Sequence, residues 1–419
     1  MRLNKYFPFV FLYFFINSVA LPLGLTYTAL LGPFFYVWVL LKRKNDVFLP
    51  FLAVLLPFII VHVFISGADL SSYTISMLNV LMIYFFCQAA YTFFKIPIDH
   101  EKILKRILII NFIFCLVALV FYFTPYYNLF WIRQNLTQGV SHFIRLKLFT
   151  YEASYYAMLF VPVFLFFLLQ YSLGMNKIKN SYLLVMIFLP LILSFSIGVI
   201  SSLAIALMIT LVLHFSLLVP KRRVINSIIS VTAFSCIIFF LLFVFFRNNP
   251  VFLRLGNIIL GHDSSGQGRT QDAFILAIKI LREQNEYWGI GPGQLKMIGD
   301  NIIREYYLYY DQTPVAIPNA AAETLLIFGW IGFSLRLLLQ VFLFIYTKAW
   351  TNYFRLLLFL FMFIYQFTGS FITNPAEYVI WIMAFTNVFP QFDIKKDRQK
   401  LLMKLAGDND IHSLSRLYH

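Results

Sequence analysis

Hydrophobic residues run along this chain in blocks of about twenty, the length a helix needs to cross a hydrocarbon core of roughly 30 Å. Polar residues are gathered between the blocks. The pattern predicts spans near 6–20, 23–41, 47–66, 72–94, 104–124, 152–172, 181–196, 198–219, 225–246, 320–346, 353–370 and 376–392. Two cuts divide longer apolar runs. Pro22 and Gly24 mark the one inside 6–41, and Gly198 the one inside 181–219. One long stretch does not suit a bilayer: residues 247–318 collect arginines, carboxylates, glycines and tyrosines.

The expected fold is an all-α polytopic membrane protein, with about twelve transmembrane helices and one large extracytoplasmic loop. Residues 1–246 carry nine spans and a shorter outer loop at 125–151. Residues 247–318 form the large loop, 319–392 the last three spans, and 393–419 a basic cytoplasmic tail. A membrane β-barrel would show alternating ten-residue segments, and these are missing. No internal repeat is visible, which weighs against a carrier built from two matched halves.

Charge orients this scheme. With the N-terminus inside, most of the 33 Lys and Arg fall in cytoplasmic segments, and short outer loops such as 67–71 and 371–375 have none. Cationic segments stay on the cytoplasmic side of a membrane. Both termini are therefore expected in the cytoplasm and the large loop outside. The net charge of +15 follows from the same rule, so no nucleic acid partner is expected. Composition agrees: 61% of residues are hydrophobic and 12% charged, where a soluble chain carries roughly a quarter charged. Cys87, Cys115 and Cys236 lie in apolar blocks, which argues against a disulfide framework. The first block lacks a small-residue cleavage site and reads as a retained span. Lys395–Leu405 interleaves basic and apolar residues, as an interfacial helix on an anionic leaflet does.

Candidate chemistry gathers in the outer segments. Thr270–Arg282 has apolar residues at Phe274, Ile275, Ile278 and Leu281, the spacing of an amphipathic helix. Thr270 is its expected N-cap, with Asp272 in the first turn. Arg269 would then stand at a helix N-terminus beside Ser264-Ser-Gly-Gln-Gly268, where free N–H groups and a guanidinium suit a phosphate or diphosphate. The plainer reading is a solvated arginine. Gly289-Ile-Gly-Pro-Gly293 has no βαβ context, so Gly289 and Gly291 mark either a tight turn or a close approach to a ligand. In the shorter loop Arg145 precedes Glu152, with Arg133 and Lys147 adding positive charge. Glu152 is either an acid favoured by a helix dipole or one facing a polar cavity. Glu323 lies one turn beyond Asn319 and can act as a general base on a hydroxyl. Arg336 lies inside a span, where charge faces a cavity or a partner. The seven histidines show no ligand spacing, and no metal or other cofactor is expected. His142 and His262 remain as alternative bases.

Together these pieces resemble the O-antigen polymerase and O-antigen ligase superfamily of bacterial membrane glycosyltransferases. Besides the span plan, the likeness rests on Arg145 followed by Tyr151-Glu-Ala-Ser-Tyr-Tyr156, similar to that family's arginine and Gly-x-Phe-x-Glu-Pro-Ser. Ser265-Gly-Gln-Gly-Arg269 resembles its Ser-Gly-Arg. Gly289-Ile-Gly291 and Asn319…Glu323…Gly329-Trp-Ile-Gly332 resemble later signatures. Two departures stand out. Ala follows Glu152 where the family has Pro, and Ile317-Pro318-Asn319 replaces the histidine that ligases carry there. The second favours polymerase over ligase.

The resemblance implies a GT-C-like architecture in the bacterial cytoplasmic membrane. It implies metal-independent, inverting transfer of glycan from an undecaprenyl-diphosphate-linked donor to the sugar hydroxyl of a second lipid-linked repeat. Membrane lipid and a chain-length-regulating co-polymerase are the other partners it suggests. Glu323, Arg269 and Arg145 become the catalytic candidates, with Glu152 the second choice of base. Glu152, Arg133, Asn319, Gly289, Gly291, Tyr155 and Arg336 are binding candidates. Trp288, Tyr306, Tyr307, Tyr309 and Tyr310 offer faces for sugar stacking, although aromatics also collect at membrane interfaces. A ligase, a peptidoglycan-type polymerase, a polysaccharide-lipid flippase and a non-catalytic scaffold are the alternatives.

Overall fold

The computed structural model describes residues 6–18, 27–42, 48–134, 143–175, 180–214, 264–307 and 316–395. The expected span at 225–246, the loop residues 247–263, the tail from 396, and His142, His262, Tyr309 and Tyr310 lie outside the described residues.

The apolar blocks become helices. In chain order these are α1 (Phe7–Phe11), α2 (Gly32–Lys42), α3 (Phe48–Ile60), α4 (Leu70–Lys95) and α5 (His100–Phe121). Next come α6 (Ala153–Ser172), α7 (Asn180–Ser194) and α8 (Ile197–Leu213). The polar segment supplies α9 (Ala273–Arg282) and α10 (Asp300–Tyr307), followed by α11 (Ala320–Tyr346), α12 (Tyr353–Tyr365) and α13 (Pro375–Phe385). Asp69 and Asp99 cap α4 and α5, each accepting the backbone N–H three residues on. The chain reverses between α7 and α8 at Phe195, whose φ is 42°.

Five of these stretches are long and apolar enough to cross a membrane, by length and composition: Phe48–Ile65, α4, α5, α6 and α11. They differ in burial. The apolar windows of four are 22% to 33% buried, leaving wide apolar faces, whereas that of α6 is wholly buried. A helix apolar on every side belongs at a core, and α6 sits at the centre of one with α1, α5, α7, α8, α12 and α13 around it. Its first residue is where the polar loops arrive.

Two elements depart from the expected plan. Residues 125–151 are not a plain loop: Trp131–Gln134 (β1) and Phe143–Leu146 (β2) pair antiparallel, Trp131 opposite Leu146 and Ile132 opposite Arg145. Each strand is four residues long, Trp-Ile-Arg-Gln and Phe-Ile-Arg-Leu, with no strict alternation, too short a signal to stand out inside a loop. Trp131 and Leu146 bury one face of the ribbon, and Arg145 projects from the other.

The second departure is α11, expected as one span. Its Gly329 is non-helical (φ 64°, ψ −169°). Arg336 Nη1 donates to Thr324 Oγ1 at 2.9 Å, yet twelve residues of straight helix would hold the two about 18 Å apart. Gln366 likewise accepts the N–H of Ala321 through its carbonyl while its amide exchanges hydrogen bonds with that of Gln340. The helix therefore folds back at Gly329 into two arms, 320–328 and 330–346. The backbone groups freed by the break are taken up by the Gly289 loop. The N–H groups of Ile290 and Gly291 donate to Leu326 and Ile327, and those of Trp330 and Ile331 to Glu286 and Tyr287. Irregular backbone in an apolar setting needs such pairing. Below the loop, His62 meets the Trp288 carbonyl at 2.8 Å through Nε2 and the Tyr73 hydroxyl at 3.2 Å through Nδ1. α9, α10 and the first arm of α11 share a second core through Leu276, Ile280, Ile303 and Leu325.

Candidate functional site

Glu152 is the N-cap residue of α6, with extended backbone (φ −143°, ψ 146°) and no side-chain bond to its own helix N–H groups. Its carboxylate turns instead to Arg269, 117 residues on: Nη2 donates to Oε1 at 3.0 Å. The guanidinium side chain is 31% exposed and the carboxylate side chain 14%. Burial pushes the Glu152 carboxyl up, but Arg269, the Ser154 hydroxyl and the nearby charge of Arg145 outweigh it and hold it below the usual carboxylate range. Burial disfavours the charge on Arg269, and Glu152 restores it beyond its ordinary value.

Arg269 does not stand at a helix N-terminus. Helical turns begin at Ser264 and continue through a π turn, Gly268–Asp272, into α9. Thr270 caps nothing: its hydroxyl donates back to the Gly266 carbonyl at 2.9 Å. The glycine-rich stretch is itself wound into helical turns, so Arg269 lies within them and not at their start. The group the segment turns towards the cavity is the guanidinium. The same winding places Asp272 inward, where it accepts from the hydroxyls of Tyr306 (3.1 Å) and Tyr307 (3.3 Å). Those two hydroxyls hold α10 to the segment that carries Arg269. The buried face of α9 is formed by Ala273, Leu276, Ala277, Ile280 and Leu281, and Ile275 is exposed.

The ion pair lines a polar cavity of about 10 Å³, room for one water. Ser154 and Tyr155 from the first turn of α6 form one wall, Tyr365 from the end of α12 another, and Ser370 and Asn374 from the turn before α13 the floor. Ser370 has φ 68°, a conformation side chains rarely adopt and one that gathers at functional sites. Beneath the cavity runs a chain of hydrogen bonds. Asn374 Nδ2 donates to Ser370 Oγ (3.2 Å), which donates to Glu377 Oε2 (2.7 Å). Glu377 Oε1 is ion-paired with Arg336 Nη2, whose Nε donates to Gln366 Oε1 at 3.0 Å.

Of the residues expected at the site, Glu152, Arg269 and Tyr155 line this cavity. The Tyr155 hydroxyl is held by Asn17 Nδ2, which ties the segment after the first helix to α6. Arg145 is buried just behind, with Nε on the Ser194 carbonyl at 3.1 Å. Asn319 caps α11 and reaches over to the carbonyls of Arg269 (2.8 Å) and Phe367 (2.6 Å), so it secures the backbone of Arg269. Glu323 does not line the cavity; its Oε2 accepts the N–H of Ile372 at 2.8 Å. Arg133 lies on the exposed part of the ribbon over the Tyr127 ring. Gly289 packs against α11, and Gly291 against Tyr73 of α4 and the His62 ring, instead of lining the cavity: a Cβ on Gly289 would lie 2.3 Å from the Ile327 carbonyl oxygen. Trp288 packs edge-on against Phe58. Arg336 is taken up by Glu377, Thr324 and Gln366.

Sequence reasoning passed over Ser370, Asn374, Tyr365 and Glu377. For the first three no local pattern distinguishes them. Glu377 carried a signal, an ionisable residue inside an apolar block. Asn374-Pro-Ala-Glu377 also has the look of an ordinary helix start, and Asn374 does cap α13. No family model matches this chain, and no curated protein matches it.

Proposed function

We propose that this protein is a membrane glycosyltransferase that polymerises polyprenyl-diphosphate-linked oligosaccharide repeats at the outer face of a bacterial cytoplasmic membrane. The observation that carries this reading is the Arg269–Glu152 pair, a cation and a carboxylate brought from two polar segments to one cavity at the head of the central helix. Glycosyl transfer from a lipid diphosphate needs those two groups. The acceptor oxygen attacks the anomeric carbon as the bond to the diphosphate breaks. The hydroxyl proton passes to the Glu152 carboxylate, and the charge developing on the leaving diphosphate is met by Arg269, with Arg145 behind it. A single displacement inverts the anomeric centre. In this scheme Glu152 takes the role of base ahead of Glu323, because Glu152 faces the cavity and Glu323 is occupied by the backbone of Ile372.

The test is polymer formation by the purified full chain from lipid-linked repeats. Glu152→Gln is expected to slow transfer by about 10²–10⁴-fold, the usual contribution of a general base, and Arg269→Ala by about 10²–10³-fold. Glu323→Gln should keep most of its activity. Normal polymer from both Glu152→Gln and Arg269→Ala would sink the assignment.

The folded-back α11 and the buried Arg336–Glu377 pair favour a second reading, a carrier of lipid-linked glycan, since broken helices and intramembrane charges mark transport paths. A carrier predicts flipping of a fluorescent lipid-linked sugar that depends on Arg336 and survives loss of Arg269.

A further inference from the structure

The pair that marks the site also closes it. Arg269 and Glu152 satisfy each other at a cavity with room for one water, so the cavity cannot admit a diphosphate while the pair stands. The contact is a single bond, Nη2 to Oε1 at 3.0 Å. A phosphate group offers the planar guanidinium two parallel bonds, a stronger and better oriented arrangement. Arg269 is also the more exposed partner, and Asn319 holds its backbone carbonyl, so its side chain can turn to an arriving anion while its main chain stays in place. Glu152 has a polar neighbour to turn to: Ser154 lines the same cavity and favours its charge, and its backbone is fixed at the head of a wholly buried helix.

Resting on the diphosphate reading above, we propose that Glu152 is an internal competitor for Arg269: the donor's diphosphate must displace this carboxylate from the guanidinium, and the displacement is what frees the carboxylate to accept a proton. No covalent change is involved in the exchange itself. One ion-pair contact is broken and two charge-assisted hydrogen bonds form. The freed carboxylate then lies beside a polyanion, where taking up a proton is favoured. Before the donor binds, the base is neutralised by Arg269 and cannot activate water or a stray hydroxyl. The device couples readiness for chemistry to occupancy of the site.

The probe is inorganic pyrophosphate titrated into the detergent-purified full chain by calorimetry, without lipid or glycan. Glu152→Gln removes the competitor and is expected to bind pyrophosphate at least about tenfold more tightly than the wild type, although it is impaired in transfer. Arg269→Ala should lose this binding in either background. A Glu152→Gln affinity equal to or weaker than the wild type's overturns the exchange, whatever the transfer activity. If instead the affinity gap is present and no polymer forms from lipid-linked repeats, the polymerase reading falls while the exchange stands. Should Glu152→Gln elute as aggregate, sulfate binding to the wild type at mildly acidic pH, measured in buffers of different ionisation enthalpy, makes the same decision. Net proton uptake supports the exchange, and none overturns it.

Discussion

The ion pair of Glu152 with Arg269 has a pH signature. The Glu152 carboxyl is held below the ordinary range in the fold, whereas in the unfolded chain it returns to about 4.3. A depressed acid stabilises the fold fully above its unfolded value and loses that contribution as pH falls through the folded one. The wild type should therefore be more stable than Glu152→Gln at neutral pH by about 1 kcal/mol, a modest figure because the guanidinium is part-exposed and screened. The gap should close on acidification below about pH 4. Melting curves of the two proteins across pH check this, and a gap that stays constant would remove the pair as its source. Sequence reasoning ranked Glu323, an ionisable residue at a membrane boundary one turn from Asn319, above Glu152. That spacing was real, but the Ile372 N–H that occupies Glu323 comes from a turn 49 residues away, and no local pattern announces it.

The fold of α11 shows what one glycine can decide. Gly329 lies in a region of backbone space open essentially to glycine alone (φ 64°, ψ −169°). A Cβ there would sit 2.2 Å from the Tyr287 carbonyl oxygen. Gly329→Ala is expected to destabilise the protein by about 3 kcal/mol, the upper end for strained backbone. Gly67→Ala provides the comparison. Gly67 also has positive φ (64°) but nothing lies within 4 Å of its Cβ position, so only about 1–2 kcal/mol of conformational strain applies. Equal losses in thermal melting for both would show that the close packing of Gly289 against Gly329 contributes nothing. Hydropathy reads residues 320–346 as one span because both arms are apolar. The break needs partners from residues 286–291, and a window sliding along the chain cannot bring these together.

Arg336 and Glu377 hold the arrangement together beneath the cavity, linking both arms of α11 with α12 and α13. Glu377 is fully buried. Glu377→Ala strands a buried guanidinium and is expected to cost about 3–5 kcal/mol, seen as loss of monodisperse protein or a large fall in melting temperature. The double change Arg336→Met with Glu377→Leu removes both charges and should recover most of that stability. A double variant as unstable as the single one would mean that the pair is not balanced as a unit.

Sequence alone determined that this chain is mostly helix with stretches long and apolar enough for a bilayer. Lipid offers no hydrogen bonds, so the requirement for long apolar helices is written residue by residue into hydropathy. Sequence also singled out Arg269, Glu152, Arg145 and Asn319 as residues of interest, since charged and capping groups at the margins of apolar blocks need a reason to be there. Only the tertiary structure decided which of them meet. It set Glu152 rather than Glu323 against Arg269, wound Ser264–Asp272 into helix, and gave Gly289 and Gly291 to the packing of α11. An ion pair between groups 117 residues apart follows from how helices pack and where loops land. Those are properties of the assembled core, and no short segment of the chain carries them.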